Sequence, residues 1–222
     1  MSSPITTELV KELRDATGIS VMQCKRALEE AEGDMKKALA ILKKTSSDIA
    51  EKKVGREVKD GAVRIVKEGK RAVLVSLHCE TDFVAKNEDF KNLLNKLTDL
   101  AWGKMSAQGG SASGWKEESK KMINEVIQKT GENIQLGDAY EVTGDILGGY
   151  VHNNKMAVIV SLEGGDESLA KDVAMHITAM KPEYASPEDI LDQPFIKDEE
   201  VTVGQLLEKN RAKIKEVKRY SI

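Results

Sequence analysis

The run Ala-Val-Leu-Val-Ser-Leu at Ala72–Leu77 returns almost unchanged as Ala157–Leu162, Ala-Val-Ile-Val-Ser-Leu. Breaker-free and rich in β-branched side chains, it reads as a buried strand, and its repetition predicts two copies of one structural unit. Each copy is the second arm of a hairpin. The first pairs Ala62–Val66 with Arg71–Leu77 across Lys67-Glu68-Gly69-Lys70. The second pairs Ile146–Val151 with Met156–Leu162 across His152-Asn153-Asn154-Lys155. A helical segment follows each, Asn87–Trp102 and Gly165–Met180. Antiparallel hairpins with helices on one face predict an α+β fold.

The copies differ at one place. Between strand and helix the first carries several extra residues, within the stretch Glu80–Phe90, which reads E-T-D-F-V-A-K-N-E-D-F. A repeat shows what a scaffold needs, so the unmatched insertion with Asp82 and Phe83 is the candidate site. An aromatic on a loop tip costs apolar exposure unless it enters a pocket, its own or a partner's. In the alternative reading Phe83 folds back on its own core and Asp82 serves the turn.

Residues 5–45 predict three short helices. Ile5, Leu9, Val10 and Leu13 keep helical spacing up to Gly18. Ser20 with Gln23 makes a capping box for a second helix, whose apolar stripe is Val21, Cys24, Leu28 and Ala31. Asp34 caps the third, with Met35, Ala38, Leu39 and Leu42. Met22 falls off the stripe, on the row of Arg26 and Glu29, with Ile19 and Val21 beside it. Methionine is a pliable contact residue, so this turn reads as a small adhesive patch, or else as packing on a neighbouring unit.

Residues 46–60 read as a linking helix, and the Gly/Ser-rich residues 103–114 as a flexible connection. Trp115–Lys129 predicts a helix and Ile134–Val142 a strand. Pro182 and Pro187 mark a loop, and Gln193-Pro194-Phe195 begins a closing segment. Val203–Asn210 predicts a helix and Ile214–Tyr220 a last short strand.

Composition excludes several classes. The chain has 222 residues, a net charge of −3 with mixed signs, and few aromatics. Phosphate neutralisation needs a basic surplus, so direct nucleic-acid binding is not expected. No apolar run approaches the roughly 18 residues of a membrane span, and no charged-then-apolar leader is visible. Cys24 and Cys79 make no disulfide framework and read as buried small hydrophobes in a reducing cytoplasm. There is no phosphate loop and no metal-ligand cluster, so neither cofactor nor metal is expected. His78 and Cys79, adjacent on a strand, point to opposite faces and make no nucleophile–base pair. The carboxylates Glu80, Asp82, Glu88 and Asp89 could hold a metal, but near a helix start they are expected to cap it.

Several motifs then agree in order with one family. The opening L-V-K-E-L-R-D-A-T-G-I-S-V-M-Q-C-K-R-A-L-E-E-A and C-E-T-D-F-V-A-K-N at 79–87 resemble the two signatures of elongation factor Ts, the guanine-nucleotide exchange factor of elongation factor Tu. G-E-N-I at 131–134, A-M-H at 174–176, K-P at 181–182, Q-P-F at 193–195 and V-G-Q-L-L at 203–207 follow in register. The resemblance implies a three-helix module of the ubiquitin-associated type (residues 1–46), a linker helix (47–60), two related α+β subdomains (61–142 and 143–192) and a short C-terminal module (193–222). It implies elongation factor Tu as partner and no bond chemistry, the alternative being a non-catalytic binding module or scaffold. Oligomeric state stays open. By resemblance, Leu13, Val21 and Met22 would touch a helix of the partner's nucleotide-binding domain. Thr81, Asp82, Phe83 and Val84 would dislodge its Mg2+, and His176 would lie near the same contact. Familiar bacterial members carry a coiled-coil hairpin between the K-P and Q-P-F motifs. Here Ser186-Pro187-Glu188-Asp189-Ile190 runs almost directly into Gln193-Pro194-Phe195.

Overall fold

The computed structural model describes residues 5–105, 112–180 and 187–222. Residues 106–111 of the expected Gly/Ser-rich connection, and the K-P motif with Pro182, lie outside the described residues; the ends of that connection, 103–104 and 112–114, are helical rather than flexible coil, each continuing the neighbouring helix.

Three capped helices open the chain. α1 (Thr7–Thr17) starts where the Thr6 hydroxyl accepts from Leu9 N and stops at Gly18, whose φ of 71° is the left-handed cap that glycine adopts without strain. α2 (Val21–Glu30) starts at Ser20, which accepts from Gln23 N. The expected reciprocal half of that box is replaced: the Gln23 side chain instead accepts from Gln128 Nε2 at 3.3 Å. α3 (Met35–Glu51) starts at Asp34, bonded to Lys36 N and Lys37 N. Val10, Leu13, Ile19, Cys24, Leu28, Ala38 and Leu42 close the core between them.

Two expectations fail here. Val21, placed on the buried stripe, is 51% exposed, and Ile19, placed in the adhesive turn, is buried. The cause is geometric: Val21 is the first helical residue, before the stripe meets α1 and α3. Nor does a separate helix begin at residue 47. α3 continues to Glu51 because Thr45 and Ser46 bond back to carbonyls of the preceding turn and break nothing. Its end packs on the next unit through Ala50.

β1 (Asp60–Glu68) and β2 (Arg71–Cys79) form the first hairpin. α4 (Asp82–Lys86), α5 (Glu88–Lys104) and α6 (Ala112–Thr130) follow, and β3 (Ile134–Thr143) returns beside β2. β4 (Ile146–His152) and β5 (Met156–Glu163) form the second hairpin, and α7 (Glu167–Ala179) covers it. After a 3-10 turn at Pro187–Ile190 come the short pair β6 (Pro194–Phe195) and β7 (Asp198–Thr202), then α8 (Val203–Lys209) and β8 (Lys213–Ser221). β8 is no appendage. It is the third strand of the second sheet, in the order β4-β5-β8, with Ala157 opposite Tyr220.

The repeated run now has a physical reason. The two sheets lie face to face, each with helices on its outer side, so β2 and β5 are buried on both faces. Val73, Val75 and Leu77 pack outward with Phe90, Leu93 and Leu97 of α5. Ala72 and Leu74 pack inward against Leu147, Ala157 and Ile159 of the second sheet. Val158, Val160 and Leu162 meet α7 on the far side. A strand between two apolar layers cannot alternate with polar residues, hence a continuous apolar run. Gly148 lets α7 settle on β4. A Cβ there would stand 2.1 Å from the backbone of Ala170. Among the described residues no helix is long and apolar enough to cross a membrane.

Candidate functional site

The insertion in the first copy is not a loop. Asp82–Lys86 form α4, a short helix capped by the Thr81 hydroxyl, which accepts from Val84 N at 3.4 Å. Local chemistry favours it: a threonine cap, Asp82 in the first turn, Lys86 in the last, and a bond between their side chains at 2.6 Å. That bond is the main cause of the lowered Asp82 pKa and the raised Lys86 pKa. Asn87 closes α4 and caps α5 in turn, accepting from Asp89 N, so the chain bends sharply between them.

The faces of α4 differ. Val84 and Ala85 are buried in the first core. Phe83 is 82% exposed, more than any other large apolar side chain among the described residues. Its ring does not fold back. Forgoing burial of a phenyl ring leaves roughly 1.5–3 kcal/mol of apolar transfer unused. Thr81, by contrast, is tied down: its N–H and hydroxyl donate to the Glu132 carboxylate at 3.0 and 2.7 Å.

At the start of α2, Val21 and Met22 are 51% and 61% exposed and form a second apolar patch. Leu13 does not share this surface; it is wholly buried behind it, in the three-helix core. A bond from Gln128 to Gln23 and one from Asn124 to Ser47 fasten this module to α6. His176 is also fully buried. Its Nδ1 accepts from Ile196 N at 3.4 Å, so Nε2 carries the proton and donates to Gln193 Oε1 at 3.1 Å. The ring lies beside Phe195, with centroids 6.0 Å apart. His176 thus fastens the closing segment to α7.

Burial lowers the pKa of His176, with the Gln193 bond pulling the other way, and burial likewise lowers that of His78. The folded state therefore favours neutral rings. The stability they confer is present above the ordinary histidine pKa and lost as pH falls through the lowered values. The urea midpoint is expected to drop between roughly pH 7 and pH 5, with part of the drop removed in His176→Gln. A pH-independent midpoint in the wild type would contradict this.

Cys79 is buried, and burial first, then the charges of Asp60 and Glu132, push its thiol up to about 12. At neutral pH it is no thiolate. His78 turns to the other face and meets the Tyr220 hydroxyl at 2.7 Å. The acidic residues of the turn are separately engaged: Glu80 with Arg56, Asp82 with Lys86, Glu88 with Lys91 and Asp89 with Lys129. Among the described residues no His, Cys, Asp and Glu side chains gather as a metal site.

Glu132 escaped the sequence reading as a site residue. Its signals were its place in the G-E-N-I motif at 131–134 and beside Gly131, just where α6 ends. Val54 was also unmarked; it is 65% exposed in the turn before β1. What this arrangement can do is bind: it presents an exposed ring on a rigidly capped helix, and a second apolar patch on a braced module.

Comparison with known proteins points to one family. The family model described as "Elongation factor TS" matches residues 80–191. The chain is 42% identical over 204 residues to "Elongation factor Ts" of Hahella chejuensis, covering 90% of this chain and 71% of that protein. It is 37% identical over 208 residues to the protein of the same name from Arthrospira platensis, covering 90% and 84%. With that from Pseudomonas fluorescens it shares 38% over 211 residues, covering 95% and 71%.

Proposed function

Since the chain belongs to the elongation factor Ts family, and so is a translation elongation factor, we propose that it binds elongation factor Tu carrying GDP and speeds release of that GDP. The observation that carries this reading is Phe83, held 82% exposed on a helix whose other side is anchored in the core. No bond of the nucleotide is made or broken.

The mechanism is competition for geometry. A GTPase holds GDP through a phosphate cradle and Mg2+, and the metal supplies much of the local charge neutralisation. Phe83 enters an apolar pocket beside that site and displaces the elements that hold the metal. Asp82, half-buried next to it, redirects polar groups there, and Thr81 and Val84 hold the helix that carries both. Val21 and Met22 dock on a helix of the nucleotide-binding domain. Leu13 stiffens that patch from beneath, and His176 contributes by fixing the closing segment. The division into an N-terminal module, two subdomains and a C-terminal module belongs to the same reading, as does a place in the cytoplasm, where elongation occurs. Coupling is reciprocal: if this chain weakens GDP binding, GDP weakens the chain's binding by the same factor. GTP rebinding then frees it for another cycle.

Mixing the protein with elongation factor Tu loaded with fluorescent GDP tests this in a stopped-flow instrument. Release is expected to accelerate with increasing protein and then to saturate. No acceleration at micromolar protein would refute it. The exposed Val21–Met22 patch favours one rival, a passive binding module. In that case Val21→Ser with Met22→Ser would abolish all effect, whereas an exchange factor binds less tightly yet keeps Phe83-dependent release.

A further inference from the structure

The backbone ladder between β2 and β3 runs out at Cys79 opposite Ile134. Just beyond it the two chains stay joined, but through side chains. Glu80 Oε1 accepts from Asn133 N at 2.6 Å. In exchange, Glu132 Oε2 accepts from Thr81 N at 3.0 Å and its Oε1 from the Thr81 hydroxyl at 2.7 Å. Two carboxylates thus take the place of the carbonyls that would have continued the ladder. Bonds to charged acceptors are stronger than those to carbonyls, so the chain is held firmly where it leaves the sheet.

The bond to the hydroxyl has a directional consequence. Thr81 has given its only hydroxyl proton to Glu132. A lone pair of the same oxygen is left facing Val84 N, the bond that caps α4. Glu132 itself is braced. Gly131 ends α6 with φ 77°, its carbonyl accepts from the Lys53 ammonium, and Asn133 Nδ2 donates to Arg56 O at 2.7 Å. A helix as short as α4 has too few internal bonds to hold its own shape. Its orientation, and that of the Phe83 ring, is set from outside.

We propose that Glu132 is a positioning residue for Phe83: it locks the cap of α4 in the rotamer and register that aim the ring at the partner. The proposal rests on the exchange reading above. Without the clamp the helix frays, and the ring points correctly only part of the time. The maximal rate of nucleotide release then falls in proportion to the aimed fraction, about five- to tenfold in Glu132→Ala. Initial docking through Val21 and Met22 is untouched, so the half-saturating concentration stays within about twofold.

The test is a double-variant cycle in the full-length chain, read by release of fluorescent GDP from elongation factor Tu, with Glu132→Ala, Glu132→Gln, Phe83→Ala and Phe83→Ala combined with Glu132→Ala. Glu132→Gln keeps one acceptor oxygen and is expected between wild type and Glu132→Ala. If Glu132 acts through the ring, adding Glu132→Ala to Phe83→Ala slows release by no more than about twofold. A wild-type maximal rate in Glu132→Ala overturns the proposal. So does an undiminished effect of Glu132→Ala when Phe83 is already alanine, because the carboxylate would then act independently. Should Glu132→Ala also lower the thermal midpoint, the same cycle is run with Glu132→Gln and is held to the same outcome. If Phe83→Ala alone releases GDP at the wild-type rate, the exchange reading itself fails, a result distinct from failure of the clamp.

Discussion

Phe83→Ala is expected to lose most of the acceleration of GDP release while the protein keeps its fold. The magnitude follows from the ring. Burying a phenyl side chain in a partner's pocket is worth roughly 1.5–3 kcal/mol, and directed against the GDP-bound geometry this corresponds to about a ten- to hundredfold loss of rate. Stability should be nearly unchanged, because a side chain already 82% exposed contributes little to the core. The exposed ring is the reason this prediction separates function from folding. Stopped-flow release and a thermal melt on one preparation check both halves. Phe83→Leu should fall between wild type and alanine, since it retains part of the apolar area. A variant that melts normally and still accelerates GDP release fully would remove the ring from the mechanism.

Phe90→Ala should do the reverse. This ring, in the first turn of α5, is 0% exposed and packs with Leu93, Leu94, Leu97 and the outward face of β2. Truncation removes the apolar contact and leaves a cavity that the surrounding helices and sheet fill only partly. The expected cost is about 3–5 kcal/mol. At roughly 2–4 °C per kcal/mol for a chain of this length, the melting midpoint should fall by about 6–20 °C. Near room temperature the folded fraction should still accelerate GDP release, because the aimed ring is elsewhere. A midpoint within a degree of wild type would mean that the α5–sheet core is not where the stability resides. The pair tests one proposition from two sides: in the stretch Glu80–Phe90, one phenylalanine serves the partner and the other the fold.

Much of this was legible in the chain. The repeated Ala-Val-(Leu/Ile)-Val-Ser-Leu run marked two buried strands. Ser20 and Asp34 marked helix starts, Gly18 marked a helix end, and the mismatch between the copies marked the candidate site. These signals are short-range. A cap or a strand period is written in neighbouring residues and is satisfied within them, whatever lies across the core. Family membership was legible for a similar reason, since the motifs stand in order along the chain.

Burial and partnership were not. Val21 and Cys24 looked alike as members of one stripe, yet one is 51% exposed and the other 0%, because only the later residue lies under α1 and α3. Leu13 and His176 carried the family's contact pattern and turned out to lie wholly inside. β8 read as a terminal strand until β5 offered it an open edge. Above all, nothing near Thr81 in the chain announced that Glu132, at the far end of α6, would seize both its donors. Periodicity and capping are properties of contiguous residues, so the sequence by itself determined which elements form. Which face of each is covered, and which distant charge holds the helix that carries Phe83, depend on contacts between segments far apart, and those exist only once the layers have come together.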